Sequence, residues 1–172
     1  MADLQILKVA PAGRRNSNYQ GERLPQGRYD LYDRIVVNVL FNRFPEDRVA
    51  VDPVRNRLAV VAYGMHTGEG LGEQRNTPEA EATYGEIDQI IQTYQNQTPW
   101  REPSYAGAVE AREELLTRTG LLLPRDKNRA GFYHFTFQDF LAAQRLLEVR
   151  EQDLFDVFCD RGATLESQSS GN

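Results

Sequence analysis

His134 is the residue whose surroundings come nearest to a chemical site. It lies in the run Phe132 to Ala143, FYHFTFQDFLAA. An imidazole there can donate an N–H to an anion while neutral and add a positive charge once protonated. If the run opens as a strand, alternation puts Phe132, His134 and Thr136 on one face and Tyr133 and Phe135 on the other, which turns the ring out of the local core. Standing alone, a strand histidine reads first as a structural residue. The other histidine, His66, follows an apolar helical run and has no second metal-type ligand at helical spacing, so it reads as a helix-end residue bonded to backbone carbonyls or water.

The remaining chemistry-bearing residues form no convergent set. Gly68, Gly70 and Gly72 follow no strand and precede no Lys-Ser or Lys-Thr, so they make a flexible loop, not a dinucleotide or phosphate loop. Glu79, Glu81 and Glu86 crowd toward the start of a helix, where the dipole and solvent explain them without catalysis. No G-x-x-x-x-G-K-S/T run and no apolar strand ending in paired acids occurs, so nothing in the chain would hold magnesium against a nucleotide. The single cysteine, Cys159, excludes an intrachain disulfide and a zinc site built from cysteines alone. No serine-histidine-acid or cysteine-histidine set can be drawn.

The elements that must position His134 follow from periodicity. Around it, Gly120 to Pro124 and Phe132 to Thr136 flank the polar segment Arg125 to Gly131 as a β-hairpin. The second strand runs straight into a helix over Phe137 to Glu148, with Thr136 and Asp139 as a capping box. Upstream, Leu31, Ile35, Val36, Val39 and Leu40 make the buried stripe of a first helix, and Pro45 and Pro53 bracket a break over Phe44 to Asp52. Val54, Leu58, Val61, Ala62 and Met65 form the face of a second helix. A third starts at Thr77-Pro78 and buries Tyr84, Ile87, Ile90, Ile91 and Tyr94. Trp100, in the polar connector Asn96 to Pro103, reads as a plug between neighbouring helices ahead of a ligand platform. Ser104 caps a fourth helix to Arg118 that turns Ala108, Ala111, Leu115 and Leu116 inward and ends at Gly120.

Length and charge bound the rest. With 172 residues, 40% of them hydrophobic, the chain makes one domain or two small ones. A net charge of -5 argues against a general affinity for nucleic acid or anionic membrane. No run approaches the length of a membrane span, and the first ten residues do not make a signal peptide, so a cytoplasmic protein is expected. Residues Leu4 to Val9 form a short apolar patch before a loop, and Ala163 to Asn172 form a polar tail without a buried stripe.

The string FYHFTFQDFLAA resembles the end of the winged-helix subdomain of NACHT-type NTPases of the STAND class, which includes the NOD-like receptors. The family usually has Glu where Asp139 stands, which keeps the charge. The pattern Leu24-Pro25, Arg28, Leu31-Tyr32 is similar to the LP, R, LY signature of the family's first helical subdomain, and Leu154, Phe155, Val157 and Phe158 look like the opening of the second. The resemblance covers roughly Glu22 to Phe158 and is strongest around His134. It implies a mainly α protein in three parts. Residues 1–52 would hold the end of the nucleotide-binding module and the first helical subdomain. A winged-helix subdomain with one small β-hairpin would follow over 53–149, and the start of a second helical subdomain with a loose tail over 150–172.

The resemblance implies that His134 bonds the β-phosphate of ADP and helps hold a closed, inactive arrangement. Its partner would be the P-loop nucleotide-binding domain of a parent protein, with ADP or ATP bound there and homo-oligomerisation as the output. The chain on its own is then expected to be no enzyme and to hold no cofactor, and its two ends read as those of a piece of a longer gene product. An alternative is a winged-helix transcriptional regulator, with Arg125, Lys127 and Arg129 in the wing touching DNA phosphates. Glu110, Glu113 and Glu114 in the recognition-helix region and the acidic total weigh against it. A small enzyme of another type ranks last for want of convergent polar residues.

Overall fold

A helix whose second half is apolar all round, as the second helix of this chain is over residues 58–65, has to lie inside. In the computed structural model, which describes residues 25–47, 51–97 and 107–151, α2 spans Val51–Thr67 and buries Val51, Val54, Leu58, Val61 and Met65 together with Ala59, Val60 and Ala62. It is longer than its expected core of Val54 to Met65. Pro53 falls in its first turn, where the missing N–H would have had no helical partner.

The other elements wrap this helix. They are α1 (Arg28–Arg43), β1 (Ala82–Thr83), α3 (Tyr84–Gln97), α4 (Ala108–Arg118), β2 (Leu122–Pro124) and β3 (Arg129–Phe132), followed by α5, which is helical over 135–151. The strands form one antiparallel sheet in the order β1-β3-β2, with Ala82 opposite Ala130 and Leu122 opposite Phe132. A hairpin is therefore present as β2 and β3, but its second strand lies mostly within the segment expected as the polar loop and shares only Phe132 with the expected Phe132 to Thr136; a two-residue third strand joins it. The fold is mainly α, a winged helix with its small sheet packed on the helices.

One contiguous core unites the set. Leu58, Ile87, Ile91, Leu115, Leu122 and Leu141 are all fully buried within it. Helix α1 enters the same core through Val36, Leu40 and Phe44, while Leu31, expected in its buried stripe, is 44% exposed. Tyr32 takes its place against the core, because α1 meets α5 through Tyr29 and Tyr32. The Tyr29 ring lies 5.1 Å from that of Phe140, and Tyr32 packs edge-on against Phe137 at 5.8 Å. Arg55 of α2 bonds Asp33 of α1 and lies 3.4 Å from the Gln144 oxygen of α5, so polar contacts join the same three helices.

Two glycines carry particular burdens. Gly120 stands at φ +67 just past the end of α4, where the chain reverses into β2. At Gly64 a Cβ would lie 2.6 Å from the Ile90 side chain, so glycine lets α2 and α3 approach. The expected Ser104 cap, the Trp100 plug, the Leu4 to Val9 patch, Cys159 and the 154–158 apolar group lie outside the described residues.

Candidate functional site

Strand β3 ends at Phe132, earlier than the sequence pattern suggests. Of the residues expected to form it, Phe132 to Thr136, all but Phe132 lie outside the strand: Tyr133 and His134 make a turn, and Phe135 and Thr136 open α5. Pairing explains the change: the ladder with β2 ends where Leu122 faces Phe132, and the Tyr133 N–H closes the hairpin on the Leu121 carbonyl at 2.7 Å. Alternation over 132–136 is thereby broken. His134 is exposed all the same, because the turn carries it outward.

His134 is the N-cap of α5. Its carbonyl accepts the Phe137 N–H at 3.0 Å, and its Nδ1 accepts the Thr136 N–H at 3.2 Å. That is the bond by which a capping side chain satisfies a free amide of the first helical turn. The Thr136 Oγ1 lies 2.9 Å from the same nitrogen. An amide can only donate, so Nδ1 is the acceptor and the neutral ring carries its proton on Nε2. The capping box expected between Thr136 and Asp139 is not formed, since Thr136 already lies inside the helix.

Asp139 is engaged elsewhere. Its Oδ1 lies 3.3 Å from Nε2 of His66 at the end of α2, in an ion-pair separation without hydrogen-bond alignment. The His66 ring stacks on Phe135, centroids 5.9 Å apart. Burial lowers the His66 pKa and the Asp139 carboxylate works against that shift. His66 thus faces an acid across the fold, in place of the carbonyls or water expected of it. A second tie lies alongside: the Gln138 side chain, 1% exposed, donates to the Glu79 carbonyl at 2.7 Å, and the Glu79 N–H reaches the Met65 carbonyl at 3.0 Å.

The flanks of His134 are apolar and open. Tyr133 is 65% exposed and Phe135 42%. Gly68, Gly70 and Gly72 all have positive φ and make tight turns after α2, with the Leu71 N–H on the Gly68 carbonyl at 3.0 Å. Among the described residues no group of three or more acids, histidines or cysteines is placed to hold a metal, and no helix is long and apolar enough to cross a membrane.

The face a DNA-binding winged helix would use has a different character. On α4, Glu110 and Glu113 point to solvent beside Val109, and Asp88 of α3 lies close enough to both acids for their charges to raise its pKa further, after burial, against the pull of Arg112. In the wing, Arg125 donates to the Phe132 carbonyl at 2.6 Å and Arg129 pairs with Glu81 at 3.3 Å.

Reasoning from sequence missed Thr83 and Glu86 at the head of α3. The chain does not begin that helix at Thr77-Pro78: residues 78–81 are not helical, and Thr83 caps it. The Thr83 Oγ1 accepts the Glu86 N–H at 3.2 Å while the Glu86 carboxylate accepts the Thr83 N–H at 2.7 Å. The spacing T-x-x-E carried that signal openly.

No curated protein and no solved structure matches the chain. The family described as winged helix-turn-helix domain C-terminal to NACHT matches residues 30–146, more than half of the 172. That span takes in α1 from its first turn, the whole sheet and the His134 corner, and the chain belongs to this family of winged-helix domains that follow NACHT.

Proposed function

We propose that this winged helix works as the lid of a signalling NTPase in the cytoplasm, closing over ADP or ATP held by a P-loop domain of the parent protein and controlling its oligomerisation. His134 is the contact residue. The observation that carries the reading is the state of its ring: Nδ1 is occupied by the helix it caps, and Nε2–H remains as a donor on an exposed side chain. A neutral N–H donor beside the positive end of a helix suits a phosphate oxygen. Exposed Tyr133 and Phe135 on either side would be covered when the lid closes. The winged helix itself carries no catalytic step, and hydrolysis, where it occurs, belongs to the partner domain.

The test is ADP retention by the chain joined to its parent's nucleotide-binding domain. We expect His134→Leu to release ADP faster and to raise oligomerisation or signalling. Unchanged retention together with unchanged assembly overturns the assignment. DNA binding is the weaker reading, because α4 offers glutamates where a recognition helix needs cations and two wing arginines are engaged within the fold. A gel shift on duplex DNA is expected to show no salt-sensitive complex.

A further inference from the structure

Two donors address one nitrogen at the His134 corner, and both belong to the same residue. The Thr136 amide lies 3.2 Å from Nδ1 and the Thr136 hydroxyl oxygen 2.9 Å. The amide fixes Nδ1 as an acceptor. The hydroxyl, which can rotate its proton to suit, then donates as well. We propose that Thr136 is a positioning residue for His134: its hydroxyl holds the imidazole as the Nε2–H tautomer and in one orientation, so that the chain offers a fixed donor to an anionic oxygen.

The hydroxyl is the part of this arrangement that helix formation does not require. The amide of the second helical residue needs an acceptor, and the carbonyl of His134 already begins the helical ladder through the Phe137 N–H. The amide bond is the longer of the two approaches, so the ring held by it alone is the looser one. A histidine free to take the other tautomer would present a lone pair at Nε2, which repels an anionic oxygen where the Nε2–H form binds it. Orientation by a partner on the opposite ring nitrogen is how proteins fix histidine tautomers generally.

This inference gives the proposed phosphate contact its geometry and rests on that reading for its purpose, but its test needs no nucleotide. The chain has two histidines, so in a ring-15N-labelled sample His134→Leu identifies the signals of each. Long-range 1H–15N correlations at alkaline pH, where both rings are neutral, report the tautomers. Wild type is expected to show His134 almost wholly as Nε2–H. Thr136→Val, which keeps shape and amide but loses the hydroxyl, is expected to raise the Nδ1–H share roughly fivefold, the worth of one ordinary hydrogen bond. Thr136→Ser is expected to restore the wild-type ratio, a rescue that a purely structural role for the residue does not produce. Thr136→Ala replaces Val should the latter fail to fold and is expected to give the same shift. A tautomer ratio unmoved by Val or Ala, or a wild type that is mainly Nδ1–H, overturns the proposal. Failure of the nucleotide reading shows itself separately, as ADP retention indifferent to His134→Leu while the tautomer shift persists.

Discussion

Two strands of one sheet lead into helices, β1 without a break and β3 through the turn Tyr133-His134, and the two junctions are finished differently. At β1 to α3, Thr83 and Glu86 satisfy one another, with the carboxylate also taking the Thr83 hydroxyl at 2.8 Å and Arg75 Nη2 at 2.6 Å. The Thr83 amide and hydroxyl and both Glu86 carboxylate oxygens are spent inside the fold. At β3 to α5 the cap is an exposed histidine that uses one ring nitrogen and leaves the other as a donor. Serine, threonine, asparagine and aspartate are the ordinary choices for that position, and a histidine there satisfies the helix with an imidazole to spare. The contrast separates a junction closed on itself from one that keeps a group in reserve, and that reserve is the physical basis for proposing a contact at His134.

Gln138 ties the two junctions together, since it grips Glu79 three residues before β1 from the first turns of α5. Gln138→Ala leaves the Glu79 carbonyl without that partner and opens a cavity, and it is expected to cost about 3 kcal/mol in urea denaturation. A much smaller loss would mean that the junctions stand independently. Glu86→Ala is next, at roughly 2 kcal/mol, because it strips the Thr83 amide of its acceptor and Arg75 of an ion-pair partner. Capping predicts a further asymmetry at α5. His134→Leu is expected to cost about 1 kcal/mol, whereas His134→Asn, which can cap, leaves stability within a few tenths. Asparagine should nevertheless fail to replace histidine in ADP retention, so the pair divides the cap from the contact.

How far the sequence revealed this depended on whether the deciding interaction was local. Apolar spacing located α2 and α4 and their inward faces, and Gly120 ended α4 as its backbone requires. That a hairpin follows α4 was legible, but the bounds of β3 were not, because aromatic residues at 133 and 135 satisfy a strand pattern while pairing runs from Arg129 only to Phe132. Thr77-Pro78 drew the start of α3 too early, since a proline in a first turn is a strong local signal and the Thr83 to Glu86 box loses to it until β1 is seen. His134 stood out through its neighbours, yet its capping role did not, since histidine is not among the common capping residues. The link from His66 to Asp139 spans 73 residues, 139 minus 66, and no periodicity reports it.

The smallest expected effect separates the junctions by the pH at which each weakens. Burial opposes ionisation of Glu86, but the Thr83 bonds and Arg75 outweigh it and the folded pKa lies below its ordinary value of about 4.5. Its contribution is therefore complete above about 4.5 and is lost as pH falls through the lower, folded value. His66 acts in a different window. Its folded pKa lies below 6.5, with burial the larger cause and Asp139 in opposition, so the unfolded chain takes up the proton first. Stability from this group is complete above about 6.5 and declines as pH falls through that value toward the folded one. His66→Gln should flatten the stability curve just below about pH 6.5 and leave the acid limb of Glu86 in place. Asp139→Asn removes the opposing carboxylate, drives the His66 pKa lower still and should steepen the same stretch, and the double variant should follow His66→Gln. Equal slopes in Asp139→Asn and wild type would show that the carboxylate is too well solvated to act on the ring, and would leave the stack on Phe135 as the contact that joins α2 to the capped turn.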